Sequence, residues 1–164
     1  MRDCVKIGER APQPPMSPAT GANSFIMSLF GVNGEVPEAE SENCLFLNVY
    51  TSDASTRRKR PVMLWLHGGG FSQGSGGTMA YDGSALVRRG DVVVVTINHR
   101  LNVLGFTYLG DLIGPDLAQS GDAGMLDIVH ALKWVHANIS RFGGDPGRVT
   151  VFGQSGGGRK VATL

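Results

Sequence analysis

Gly153-Gln154-Ser155-Gly156-Gly157 directly follows the β-rich run Arg148-Val149-Thr150-Val151-Phe152. Glycines placed two residues either side of a serine, straight off a strand, specify a bend too tight for side chains at those positions. The bend requires a strand before it and a helix packed close after it. The serine is then lifted clear of the sheet with its hydroxyl exposed, in a backbone conformation costing about 1–3 kcal/mol. A chain that carries this bend is constrained to alternate strands with helices.

The rest of the composition agrees with a layered sheet-and-helix domain. The chain has 164 residues, enough for one core. Its charged fraction of 18% is below the roughly 25% usual for globular proteins, so many segments are interior ones. A formal net charge of +1 gives no electrostatic case for nucleic acid or an anionic membrane as partner. No apolar run approaches 18 residues, so no membrane span is expected. The first residues lack the apolar centre of a signal peptide, and compartment stays open. Cys4 and Cys44 could form a disulfide, but their spacing does not indicate one; two free thiols is the favoured reading, and the sequence leaves the pairing open.

Residues 1–40 hold Pro12, Pro14, Pro15, Pro18 and Pro37 and read as coil, with one short turn near Phe25–Phe30, wrapping a larger body. Strands are expected at 45–51, at Val62–Leu66 and at Asp91–Ile97, the last two covered on both faces. Arg57-Arg58-Lys59-Arg60 reads as a solvated basic turn. A short helix is expected at Ser84–Arg89. A long one between Asp122 and Phe142 carries Met125, Leu126, Ile128, Val129, Leu132, Trp134, Val135 and Ile139 at helical spacing. Gly143-Gly144-Asp145-Pro146 stops it before the last strand. The fold class is therefore α/β, with its site at strand ends.

A second glycine loop makes the serine bend specific. His67-Gly68-Gly69-Gly70-Phe71 leaves a buried strand. In that position an H-G-G-G segment supplies backbone N–H donors for a carbonyl oxygen that becomes negative, joined by the N–H after the nucleophile. Ser155 is thus the candidate nucleophile; Gly69, Gly70 and Gly156 are the candidate oxyanion donors. Gly153, Gln154 and Gly157 build the elbow. His67, His99, His130 and His136 are read as structural, and Trp65, Trp134, Phe106 and Phe142 as core. Phe71 and Tyr81 follow glycine-rich turns and are candidate pocket residues.

Together these segments resemble the type-B carboxylesterase/lipase family, which includes the cholinesterases. The resemblance runs through Ser41–Tyr50, His67–Phe71, Asn98-His99-Arg100, Leu104-Gly105-Phe106, Gly124–Asp127 and Trp134-Val135. It continues through Asn138-Ile139 and Phe142–Pro146 to Phe152–Gly157. It implies an α/β-hydrolase fold with a mostly parallel sheet, a small-molecule ester as substrate and no metal or organic cofactor. Residues 41–164 are then a partial hydrolase domain, and residues 1–40 a coil segment of the same domain. The family's triad runs Ser, then Glu or Asp, then His, so the resemblance places both partners beyond Leu164 and makes this stretch inactive alone. It further implies that Glu42, Asp127 and Asp145 are internal hydrogen-bonding groups, with Arg100 or Arg148 as partners. The cysteine matching Cys44 is bridged in the family to an earlier one, near Ala11 here. Gly156 stands where the family commonly has Ala.

Three other readings compete. A phosphate-binding P-loop fits the spacing Gly153-x₄-Gly158, but Arg159-Lys160 stands where Lys-Ser or Lys-Thr is needed. A non-catalytic cholinesterase-like scaffold or adhesion module would share this stretch, and Ser155 with an intact H-G-G-G argues against it. The hormone-sensitive-lipase-like hydrolases also carry H-G-G-G, but the Ser41–Tyr50 and Phe142–Pro146 segments favour the type-B family. Acyl and alcohol preference and oligomeric state are not legible.

Overall fold

The apolar runs and the strand before the elbow assemble into one four-stranded sheet in the order β1-β3-β2-β4. The computed structural model describes residues 6–14, 38–55 and 57–164. The expected turn near Phe25–Phe30, and Cys4, lie outside the described residues.

In chain order the strands are β1 (Leu47–Tyr50), β2 (Arg60–Leu66), β3 (Val93–Ile97) and β4 (Gly144–Gly153). β1 runs antiparallel to β3, while β2 is parallel to both β3 and β4. The helices are α1 (Ser84–Gly90), α2 (Asn102–Phe106), α3 (Gly110–Ile113), α4 (Ala123–Asn138) and α5 (Gly156–Thr163). Short 3-10 turns at Met79–Tyr81, Pro115–Leu117, Ser120–Asp122 and Ile139–Phe142 link them.

Burial refines the expected strands. β3 is buried at every position, as a central parallel strand with apolar residues on both faces should be. β2 was expected to match it but alternates: Val62, Leu64 and Leu66 are buried, whereas Met63 and Trp65 are half-buried. On the half-buried face Trp65 packs against Tyr81 and Phe152, with ring centroids 5.1 and 5.0 Å away. The opposite face meets α4. Val62, Leu64, Leu66, Val93, Val95, Ile97, Ile128, Val135 and Ile139 form the main core, with Leu132, Trp134 and Phe142 packed at its margin. Leu126, counted on the apolar side of α4 by spacing, is 41% exposed.

Two local expectations need correction. β4 begins at Gly144, because Gly144 pairs with Arg60 ahead of a register shift next to Pro61. Pro61 has no N–H to give to the ladder. Arg60 itself is not solvated. It is 3% exposed, donates from Nε to Asp91 Oδ1 at 2.5 Å and from Nη1 to the Asp53 carbonyl at 2.9 Å. Arg57, Arg58 and Lys59 remain exposed.

The N-terminal stretch touches the rest through polar contacts. Arg10 and Glu40 form a parallel bridge and an ion pair of 2.8 Å. The Gln13 side chain donates to Gly74 O and accepts from Gly74 N. Asn98 and Asn102 donate to the carbonyls of Glu9 and Pro12.

Candidate active site

Three parallel strands end at the same edge of the sheet. The register pairs Trp65 with Phe152 and Leu66 with Gly153, so β2 and β4 finish side by side. The H-G-G-G segment and the serine bend therefore leave adjacent strands at the same level. This is where ligand sites form in open α/β sheets.

Ser155 sits at φ 54°, ψ −118°, outside the regions an L-residue prefers, and its side chain is exposed. The bend is feasible because its neighbours have no Cβ. At Gly157 a Cβ would collide with the Leu66 carbonyl oxygen and lie 2.8 Å from that of His67. At Gly153 it would lie 2.6 Å from the Gly157 carbonyl carbon. Gly157 N donates to Gln154 O at 2.9 Å, closing the turn. The two loops touch twice. A Cβ at Gly156 would strike Gly70, 2.6 Å from its Cα, and one at Gly68 would meet the Gln154 side chain.

The glycine loop is held by its carbonyls. His67 Nδ1 donates to Gly68 O at 2.8 Å. Gly69 O accepts from Ser72 N and Gln73 N at 3.3 and 3.1 Å, and Gly70 O accepts from Lys160 Nζ at 2.6 Å. In a trans peptide the N–H points opposite to the preceding carbonyl. Fixing the carbonyls of Gly68 and Gly69 therefore aims the N–H groups of Gly69 and Gly70 the other way. Among the described residues nothing accepts from the N–H of Gly69, Gly70 or Gly156. Gly69 and Gly70 adopt φ of +89° and +66°, which glycine reaches without a steric penalty.

Below the loop lies a neutral imidazole pair. The rings of His67 and His99 stack with centroids 4.8 Å apart and planes 1° from parallel. His99 Nδ1 donates to Arg100 O at 2.9 Å, so both rings carry their proton on Nδ1. Burial pushes His67 down to about 3 and His99 to about 4, far below an ordinary imidazole. Both are committed to the fold, as the sequence suggested. His130 and His136 lie exposed on α4.

Arg100 and Asp127 anchor the end of β3 to α4. Asp127 accepts from Arg100 N, Nε and Nη2 at 2.9, 2.8 and 2.6 Å. The carboxylate hydrogen bonds hold Arg100 above its ordinary pKa. Phe106 is not simply core, because it braces Phe71 edge-to-face at 5.0 Å beside the glycine loop. Tyr81 packs on Trp65, away from that loop's own contacts. A cavity of about 910 Å³ lined by Leu45, Asn48, Tyr50, Trp134 and Phe142, among others, includes neither Ser155 nor the glycine loop.

The chain as a whole is similar to known proteins. The carboxylesterase family model matches residues 1–164. The chain belongs to the carboxylesterase family. It is 44% identical over 162 residues to para-nitrobenzyl esterase of Bacillus subtilis, covering 99% of this chain and 30% of that protein. It is 45% identical over 154 residues to liver carboxylesterase 1 of Oryctolagus cuniculus, covering 92% and 26%. An esterase of Clostridium hathewayi superposes with a TM-score of 0.83 at 45% identity, covering 94% of this chain and 29% of that one. The fold is thus that of the α/β-hydrolase carboxylesterases, and the chain spans less than a third of the length of these relatives.

Against the family pattern, some residues act as expected and others do not. Asp127 pairs with Arg100, but Asp145 accepts from Gly147 N within its own turn, and Glu42 is exposed. Ala11, at the position near the family's bridging cysteine, packs in a buried cluster with Cys44 and Leu101. Cys44 is a free thiol whose pKa is raised by burial. Sequence reasoning assigned Lys160 no role in the site. One signal was available: Lys160 is four residues after Gly156 in a helix, so both lie on one face.

No helix among the described residues is long and apolar enough to cross a membrane.

Proposed function

We propose that the protein carrying this chain is a carboxylic-ester hydrolase working through an acyl-enzyme on Ser155. The Ser155 oxygen attacks the ester carbonyl carbon, its proton passes to a general base, and the carbonyl electron pair moves onto oxygen. The N–H groups of Gly69, Gly70 and Gly156 receive that oxyanion. Collapse expels the alcohol, which takes the proton back from the base. Water then repeats the sequence and releases the acid. Removing one such donor typically costs about 10²–10³ in kcat.

One observation carries the reading: Gly156 abuts Gly70, one residue from an exposed serine held at positive φ. His67 and His99 are buried, stacked and bonded through Nδ1, so neither serves as the base. This reading assigns the base and its acid to chain outside these 164 residues. The isolated stretch is then expected to turn over esters poorly.

The test uses the whole protein with p-nitrophenyl butyrate and a fluorophosphonate probe. Hydrolysis and labelling at Ser155 are expected, with Ser155→Ala abolishing labelling and lowering kcat by about 10⁴–10⁶. Undiminished turnover in Ser155→Ala would refute the assignment. No labelling of the wild type would favour a non-catalytic scaffold instead.

A further inference from the structure

Lys160 is fully buried, with none of its surface reaching solvent. A lysine there needs a reason, because enclosing an ammonium is costly unless its hydrogens find acceptors. The acceptor it finds is Gly70 O, 90 residues earlier, at 2.6 Å. The ammonium also sits 4.7 Å from the centroid of the Phe71 ring, a favourable cation–π distance.

Gly70 has little else to hold it. A Cβ built on it would meet nothing within 4 Å, so that side is open and its packing is the backbone contact with Gly156. The peptide before it is set by the bonds of Ser72 N and Gln73 N to Gly69 O. The peptide after it is set by Lys160. Gly156, one turn earlier on α5, has no Cβ and so lets Gly70 come down within reach. Lys160 and Gly156 thus act on the same residue from one helix face.

We propose that Lys160 is a positioning residue of the oxyanion site: its ammonium clamps the Gly70 carbonyl, holds the peptide that follows Gly70, and so keeps Gly70 seated against Gly156 beside Ser155. This rests on the esterase reading above. Burial pushes the Lys160 pKa down to about 8, which leaves it charged at neutral pH. The titratable groups that sense its charge among the described residues, His67 and His99, are neutral there and do not compete for it. A clamp of this kind matters most when the carbonyl oxygen becomes negative. Its loss should lower kcat rather than raise KM, since misplacing a donor group by about 1 Å can cost about 10²-fold.

The experiment compares the whole wild-type protein with Lys160→Met and Lys160→Gln. Fluorophosphonate labelling of the wild type at Ser155 is read first, and its absence overturns both the esterase reading and this one. Steady-state kcat and KM, and the Ki of a trifluoromethyl ketone that adds to the serine as an oxyanion, are then measured. Lys160→Met is expected to lower kcat about 10–100-fold with KM within about threefold. The ketone Ki should rise in step with the loss in kcat/KM. Lys160→Gln, which keeps an N–H donor, should recover part of both. Values of kcat and Ki within twofold of wild type in Lys160→Met would overturn the proposal. So would failure of both variants to fold, judged by circular dichroism, because the lysine would then serve the core alone.

Discussion

Ser155 shows how local cost and local chemistry coincide. Its positive φ is strain that a β-strand, a helix and two glycines impose together, and the result is a hydroxyl standing free of the sheet. The motif made this legible, because glycine at both 153 and 157 is what a sharp strand-to-helix bend demands. The state of the histidines was legible only in part. Sequence position could set them aside as bases, but their stacking depends on β2 and β3 being neighbours. That stacking has a thermodynamic consequence. The unfolded chain takes up a proton at each imidazole as pH falls through about 6.5, whereas the folded chain does not until about 4 at His99 and 3 at His67. Their contribution to stability is complete above pH 6.5 and is lost as pH falls toward those lower values. Each costs about 1.4 kcal/mol per pH unit in that window. Urea unfolding of the whole protein at pH 7, 6 and 5 should show the combined slope, and replacing both histidines by Asn should flatten it. An unchanged slope in that variant would contradict neutral burial.

At the scale of elements, hydrophobic pattern located what packing periodicity controls. Valine-rich β3 and the long α4 appear close to where residue types put them. The stretch from Leu101 to Asp122 did not yield, because α2, α3 and the 3-10 turns are three to five residues each. Helices that short are marginal alone and exist through tertiary contacts. The same limit hid Lys160, since nothing near it in sequence reveals a carbonyl arriving from the glycine loop. Arg100–Asp127 is the main tie between the β3 end and α4, and Asp127 is 5% exposed in its side chain. Asp127→Ala strands a guanidinium that is 39% exposed, so the loss should fall near the low end for such pairs, about 3 kcal/mol. Replacing Arg100 by Met and Asp127 by Leu together should recover most of it. Urea midpoints of the three variants check this, and equal losses in the single and double variants would count against an uncompensated charge as the cause.

Across the whole molecule, topology brings together segments far apart in the chain. Parallel pairing of β2 with β3 and β4 delivers His67, His99 and Ser155 to one edge, although 88 residues separate the first from the last. The order of strands is not written in any one segment, so the sequence could name both loops without showing that they touch. That contact is the core of the account, and a crystal structure of the whole protein after reaction with a phosphonate ester tests it most directly. Phosphorus is expected to be bonded to Ser155 Oγ, with the phosphoryl oxygen about 2.7–3.1 Å from the backbone nitrogens of Gly69, Gly70 and Gly156. Phosphorus on another residue, or a phosphoryl oxygen turned away from those three amides, would contradict it.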